Sequence, residues 1–251
     1  MKNRMKRILL SALIAVIAIS CKKDDTLRYN NLTMGNIVGE TIVSDQGNTF
    51  DIAETLFEVD LQKFKYGRVF LMCDVLKKTS ENRYDIRLTG IESVLTKDVL
   101  TLSEITEDKL MVEDAINIRD IWYGGGYLNL FIELAHKEDS EKEHMITLVH
   151  DDQSEEEGYV FILRHNAFGE TPSEEDKEYR SAFGYVSFPI AGLIKEDSAD
   201  ITMKWKSHKR LPGGDYSLLE TEDITQVCKW ERIGYEHSIP QLKASRTFRA
   251  M

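Results

Sequence analysis

Tyr127-Leu128-Asn129-Leu130-Phe131-Ile132-Glu133-Leu134 is the stretch that decides the fold class. Leu128, Leu130, Ile132 and Leu134 alternate with Tyr127, Asn129, Phe131 and Glu133. Side chains of an extended strand point to opposite sides in turn, so a period of two marks a strand with one face in a core. Upstream, Ile116 and Ile118 lead into Trp122 and then into Gly124-Gly125-Gly126. Downstream, His144 to Val149 and Tyr159 to Leu163 are further strands around the acidic loop Asp151 to Gly158, which predicts a hairpin over about 144–163. Val186, Phe188 and Ile190 share a face, as do Ile201, Met203 and Trp205, and Pro212-Gly213-Gly214 is a turn. Two layers of such strands make a β-sandwich, predicted over 114–238. Thr171-Pro172-Ser173-Glu174 has the pattern of a capped helix start, and predicts one short helix running to about Ala182.

The first half has the same grammar. Ile37-Val38 and Thr41-Ile42-Val43 flank Gly39-Glu40, and Asp45-Gln46-Gly47-Asn48 is a turn. Gly67 to Leu76 is apolar on both faces, as expected of a central strand, and Tyr84, Ile86 and Leu88 alternate with Asp85 and Arg87. Four prolines, 15 glycines and many short alternating segments make the chain all-β. The strands of 33–113 fit a small closed or partly open barrel ahead of the sandwich.

The N-terminus is an address. Lys2, Arg4, Lys6 and Arg7 precede Ile8 to Ile19, an apolar run interrupted only by Ser11. This is a secretory signal peptide over 1–20, shorter than the roughly 20 apolar residues that span a bilayer. Ile17-Ala18-Ile19-Ser20-Cys21 resembles a bacterial lipobox, with Ala18 where Leu is commoner. The thiol of Cys21 would carry the diacylglyceryl group, and more than one acyl chain is needed for a stable anchor. Lys22-Lys23-Asp24-Asp25 resembles a short surface-export signal that follows the acylated Cys in one Gram-negative phylum. A plain solvated tether is the alternative reading of those charges. Residues 21–32 form the lipidated tether, and 239–251 a polar tail.

Composition bounds the partners. Removing the four leader cations from 32 Lys and Arg, against 43 Asp and Glu, leaves a mature charge of −15. Such a surface opposes nucleic acid, which is bound by neutralising phosphates, and opposes lying flat on anionic lipid. Cys73 and Cys228, both in apolar strand-like contexts, could pair in an oxidising compartment, but two buried free thiols are the favoured reading.

Asp120 to Leu130, His144 to Val149 and Tyr179 to Ile190 together resemble the NigD-like lipoproteins, a likeness that extends over nearly the whole mature chain. The resemblance implies an N-terminal OB-like barrel, a C-terminal β-sandwich, and association with bacteriocin-type gene clusters without an established activity. Pro189 stands where the family more often has Asp or Asn; proline cannot donate to a ladder, so that strand is an edge or ends there.

Catalytic and metal patterns were weighed against this. Gly124-Gly125-Gly126 lacks the Lys-Ser/Thr and helix of a phosphate loop, so a backbone with positive φ or a bulge at a strand entrance is expected. His144 and His150 lie six apart, and His136, His165, His208 and His237 are scattered, without zinc-site spacing. Asp151, Asp152, Glu155, Glu156 and Glu157 lack the calcium-loop pattern and suit a solvated loop. Nothing in the sequence names a catalytic, cofactor or metal residue. Trp122, Tyr123 and Trp205 are the aromatics to inspect, each expected in a core. The expectation is a non-catalytic outer-membrane lipoprotein binding a protein, peptide or glycan, with immunity or self-protection as a sub-case. The alternatives are an enzyme acting on polysaccharide or cell-wall material, and a structural partner in an outer-membrane complex.

Overall fold

The computed structural model describes residues 27–138, 140–173, 179–231 and 248–249. The signal peptide, Cys21 and Lys22 to Asp25 lie outside the described residues. Five strands come first: β1 (Leu27–Val38), β2 (Thr41–Ser44), β3 (Thr49–Thr55), β4 (Arg68–Ser80) and β5 (Arg83–Ser93). They close in the order β1-β2-β3-β5-β4, with β3 and β5 parallel and the other pairs antiparallel. This is the expected OB-like barrel. Its core is Ile42, Phe50, Val69, Leu71, Cys73, Val75, Ile86 and Leu88. The apolar character of both faces of β4 now has its cause. Val69, Leu71, Cys73 and Val75 fill the barrel, while Arg68 and Phe70 on the other face meet the second domain.

Two short strands, β6 (Leu95–Thr96) and β7 (Leu100–Thr101), follow, and then β8 (Asn117–Gly124), β9 (Tyr127–Lys137), β10 (Glu143–His150), β11 (Tyr159–Asn166), β12 (Tyr179–Pro189), β13 (Ser198–Arg210), β14 (Tyr216–Glu231) and β15 (Phe248–Arg249). They build a sandwich. One sheet has the order β6-β12-β9-β8; the other runs β14-β13-β11-β10-β15, with β7 beside β10. The sequence reading placed the domain boundary at 113/114, whereas β6 and β7, which precede it, pair with sandwich strands. Leu128, Leu130, Ile132 and Leu134 are fully buried against Ile146, Leu148, Phe161, Val186, Phe188, Ile201 and Met203. The expected hairpin is present, with Met145 opposite Asn166 and His150 opposite Phe161. Strand β12 ends at Pro189, opposite Tyr127, as a residue without an N–H requires.

One expectation is corrected. The helix reaching to Ala182 does not form over Tyr179–Ala182, which is the start of β12 and pairs with Ala135–Lys137 and Leu134 of β9. Ladder pairing and burial of Ala182 in the core override the local capping signal. Residues 174–178 of that prediction lie outside the described residues. Among the described residues the helical turns are three 3₁₀ turns, Leu61–Lys63, Leu102–Glu104 and Asp108–Leu110. No helix among them is long and apolar enough to cross a membrane. Cys73 is buried in the barrel and Cys228 half-buried on β14, and the two are not bonded.

Candidate functional site

The barrel sits on the outward face of the β12-β9-β8 sheet, and one side chain fixes it there. Arg68, at the start of β4, is 0 % exposed. Its Nη1 and Nη2 donate to the two carboxylate oxygens of Asp45, at 2.9 and 2.8 Å. Nε donates to Ser187 Oγ at 2.9 Å, Nη2 to Asn129 Oδ1 at 2.7 Å and Nη1 to Asn36 Oδ1 at 3.2 Å. The guanidinium also lies over the Tyr127 ring, 4.1 Å from its centroid. A planar fork of donors suits such a set of acceptors, and a buried ion pair is tolerable only with its other bonds satisfied. Asp45 comes from the β2–β3 turn; Asn129, Ser187 and Tyr127 come from β9 and β12. The clamp therefore spans both domains.

The three glycines find their role against Asp45. Gly125 and Gly126 have φ of +59° and +85°, the two-residue turn of the β8–β9 hairpin. A Cβ on Gly125 would come 2.5 Å from Asp45 Oδ1, and one on Gly124 2.6 Å from Oδ2. Their bareness lets the carboxylate approach the hairpin while it holds Arg68.

Beside the clamp the junction becomes apolar. Met34, Phe70 and Val94 of the barrel side pack against Trp122 and Tyr185 of the sandwich. The Tyr185 ring meets Phe70 edge-on at 4.3 Å and Trp122 at 6.2 Å, and stacks on Phe131 at 4.7 Å. Phe131 stacks in turn on Phe183 at 5.9 Å, and Phe183 is 53 % exposed. These rings share one side of the sheet because Phe183 and Tyr185 are two apart on β12 and Tyr185 faces Phe131 across the ladder. On the barrel, Phe70 borders a groove of about 240 Å³ lined also by Phe57, Met72, Gly90, Ile91 and Glu92, with Met72 45 % exposed. An aromatic and aliphatic seam thus runs from the sandwich face across the junction to the barrel groove.

A second concavity, of about 150 Å³, lies in the sandwich among Asp114, Ala115, His165, Glu170, Lys206 and His208. His165 Nδ1 is 3.0 Å from the Ala115 carbonyl oxygen, which only accepts, so that nitrogen carries the proton. His165 Nε2 therefore accepts from His144 Nδ1 at 2.9 Å, and His144 Nε2 faces the Glu170 carboxylate at 3.4 Å. Burial pushes the His165 imidazole down to about 3, and lowers His144 and His208 as well. The chain of bonds runs from the Ala115 carbonyl through the two imidazoles; with its proton on Nδ1, neutral His144 has no N–H for Glu170, and only its imidazolium would donate there. The Ser140 hydroxyl donates to Glu170, not to an imidazole, so this geometry is not that of an activated nucleophile. It staples β10, β11 and the Ala167–Glu170 loop together.

The residues singled out from the sequence scatter. Trp205 is buried in the sandwich core and Tyr123 packs against it, as expected, while Trp122 lies at the junction. His144 joins His165, which the spacing did not link to it, and His150 stands against Tyr159 and Phe161. In the acidic loop, Asp152 accepts from Ser103 and Glu156 pairs with Lys204. Among the described residues no three His, Cys, Asp or Glu side chains group as metal ligands do. Sequence reasoning missed Arg68, Phe70, Phe131, Phe183 and Tyr185. The Phe183/Tyr185 spacing of two, opposite in phase to Val186 and Phe188, was the available signal.

Residues 98–212 match the family described as NigD-like C-terminal beta sandwich domains. The chain is similar to a solved structure of a DUF1344 protein of unknown function from Bacteroides vulgatus (18 % identity, 85 % of this chain and 95 % of that one, TM-score 0.58). It is also similar to a NigD-like immunity protein from Bacteroides caccae (17 % identity, 80 % and 96 %, TM-score 0.54). A third likeness is to a protein described as a lipoprotein from Bacteroides fragilis (11 % identity, 83 % and 99 %, TM-score 0.54). At these identities the likeness is one of fold. No curated protein matches the chain.

Proposed function

With residues 98–212 matching the NigD-like C-terminal beta sandwich domains, we infer that the chain is a lipid-anchored envelope protein that works by binding a partner, without a catalytic step. The observation that carries this reading is the seam of Phe70, Tyr185, Phe131, Phe183 and Met72. Phe183 and Met72 are the exposed ends of this seam, with buried Phe70 and half-buried Phe131 and Tyr185 between them; exposed apolar side chains on a water-facing protein mark a contact site, and clefts between domains are where such sites concentrate. The Arg68 clamp favours the same reading, because it holds the two halves of the seam in one fixed orientation.

The lipid anchor at Cys21 and the export signal at Lys22 to Asp25 belong to this proposal, on the sequence patterns described above. Self-protection against a bacteriocin-type toxin is the sub-case suggested by the immunity protein of similar fold.

Retention on isolated cell-envelope fractions tests the binding role. A Cys21→Ser chain, which lacks the lipid anchor, should be retained, and the same chain carrying Met72→Ser/Phe183→Ser, of equal thermal stability, released. Equal retention of both would remove the seam from the function. Release of product from envelope polysaccharide by the purified protein would replace the binding reading with an enzymatic one.

A further inference from the structure

We propose that the seam receives a cationic, amphipathic peptide segment, its apolar side chains in the groove between Phe57 and Met72 and against Phe183, its basic groups on Glu58, Glu92 and Asp120. This rests on the seam being the partner surface and specifies what that partner is.

The first argument is the state of the rings. A sugar platform needs open ring faces. Here Phe131 stacks on both Phe183 and Tyr185, at interplanar angles of 27° and 23°, and Tyr185 is met edge-on by Phe70 and Trp122. The faces are largely spent on one another. What the seam offers is ring edges, the outer side of Phe183, and a groove walled by a flexible thioether. A Met-lined groove adapts to aliphatic and aromatic side chains of a peptide.

Charge is the second argument. Glu92 lines the groove, Glu58 follows Phe57, and Asp120 faces Phe131 across the β8–β9 ladder. All three are exposed, and among the described residues none has a cation partner. Carboxylates on neighbouring surfaces are treated differently: Asp51 is bound by Arg83, Glu54 by Arg87 and Glu133 by Arg119. Three exposed carboxylates without a cation partner among the described residues therefore border the apolar seam. With a formal charge of −11 for the whole chain, the surrounding field draws cations and repels acidic ligands.

Isothermal titration of the full mature chain with three probes tests this: a synthetic Lys/Leu amphipathic peptide, its Glu-for-Lys counterpart, and a neutral β-glucan oligosaccharide. The Lys/Leu peptide should bind saturably and the Glu/Leu peptide should not. Met72→Ser/Phe183→Ser should weaken binding about tenfold or more, as truncating central anchors does. Glu92→Gln/Asp120→Asn should weaken it by a smaller, salt-sensitive factor. Val227→Ser, at an exposed site on β14, should leave it unchanged, and circular dichroism melts check that every variant folds. Glucan binding that the seam variants abolish, without peptide binding, would overturn the peptide and leave the seam as the partner surface. Self-association lost in the seam variants, again without peptide binding, would put a second copy of the chain there instead. Peptide binding indifferent to the seam variants would overturn both this proposal and the seam itself.

Discussion

Replacing Arg68 with Met should cost about 3–5 kcal/mol, the usual loss when one member of a buried ion pair is removed. The reason is local: Asp45 would stay buried against the Gly124-Gly125 backbone without its two donors, Ser187 would lose the Arg68 Nε donor, and Asn129 Oδ1 would keep only its bond from Ser187. Lys at this position should not restore the loss, because an ammonium lacks the planar fork that reaches acceptors on both domains. Gly125→Val should damage the same clamp from the other side, combining a positive φ with a side chain driven into Asp45. Gly39→Val is its control, since Gly39 has a φ of +63° but open space around its Cβ position. Urea unfolding measures all four. A loss below about 1 kcal/mol for Arg68→Met, within the range of an exposed pair, would mean that the clamp is dispensable. Equal losses at Gly125 and Gly39 would mean that the approach of Asp45 carries nothing.

At the scale of elements, the histidine chain joining β10, β11 and the Ala167–Glu170 loop makes stability depend on pH. His165 has its folded value depressed to about 3 by burial, below the ordinary 6.5 that it regains on unfolding. The unfolded chain therefore takes up this proton first as pH falls. The stability it secures is complete above about pH 6.5 and is lost progressively from there down towards about 3, on the order of 1 kcal/mol per pH unit. His144 and His208 are shifted in the same direction and add to the trend. Urea midpoints measured between pH 7 and pH 4 should fall for wild type and fall less steeply for His165→Gln. Parallel slopes would show that His165 stays solvated. The strands themselves were legible: the phases of β5, β9 and β13 follow from side-chain alternation. The start of β12 was not. A capping pattern acts over one turn of chain, whereas β12 is held along its length by the ladder to β9.

For the whole molecule, the lipid anchor proposed at Cys21 makes the membrane face of the seam testable. Protease added to intact cells should remove the wild-type protein and spare a Lys23→Ala/Asp24→Ala/Asp25→Ala variant, if those residues direct export. Protection of both would put the seam in the periplasm and leave the charges as a tether. The two-domain architecture was legible as a sum of patterns: a barrel from the first five strands, a sandwich from the rest. Its assembly was not. Arg68 reads in sequence as a charge at the edge of an apolar strand, and only the packing of barrel on sheet surrounds it with acceptors from two domains.

Alternation alone determined that the chain is all-β and which side chains of β5, β9 and β13 enter a core, because these properties are set within one strand. The tertiary structure decided the rest. It made β4 a strand shared between barrel interior and domain junction, turned Asp45 and Arg68 into a clamp across 23 residues of chain, and aligned Phe70, Tyr185, Phe131 and Phe183 into a seam. Each of those depends on which surfaces face one another, and a pattern of period two carries no information about what lies opposite an outward face.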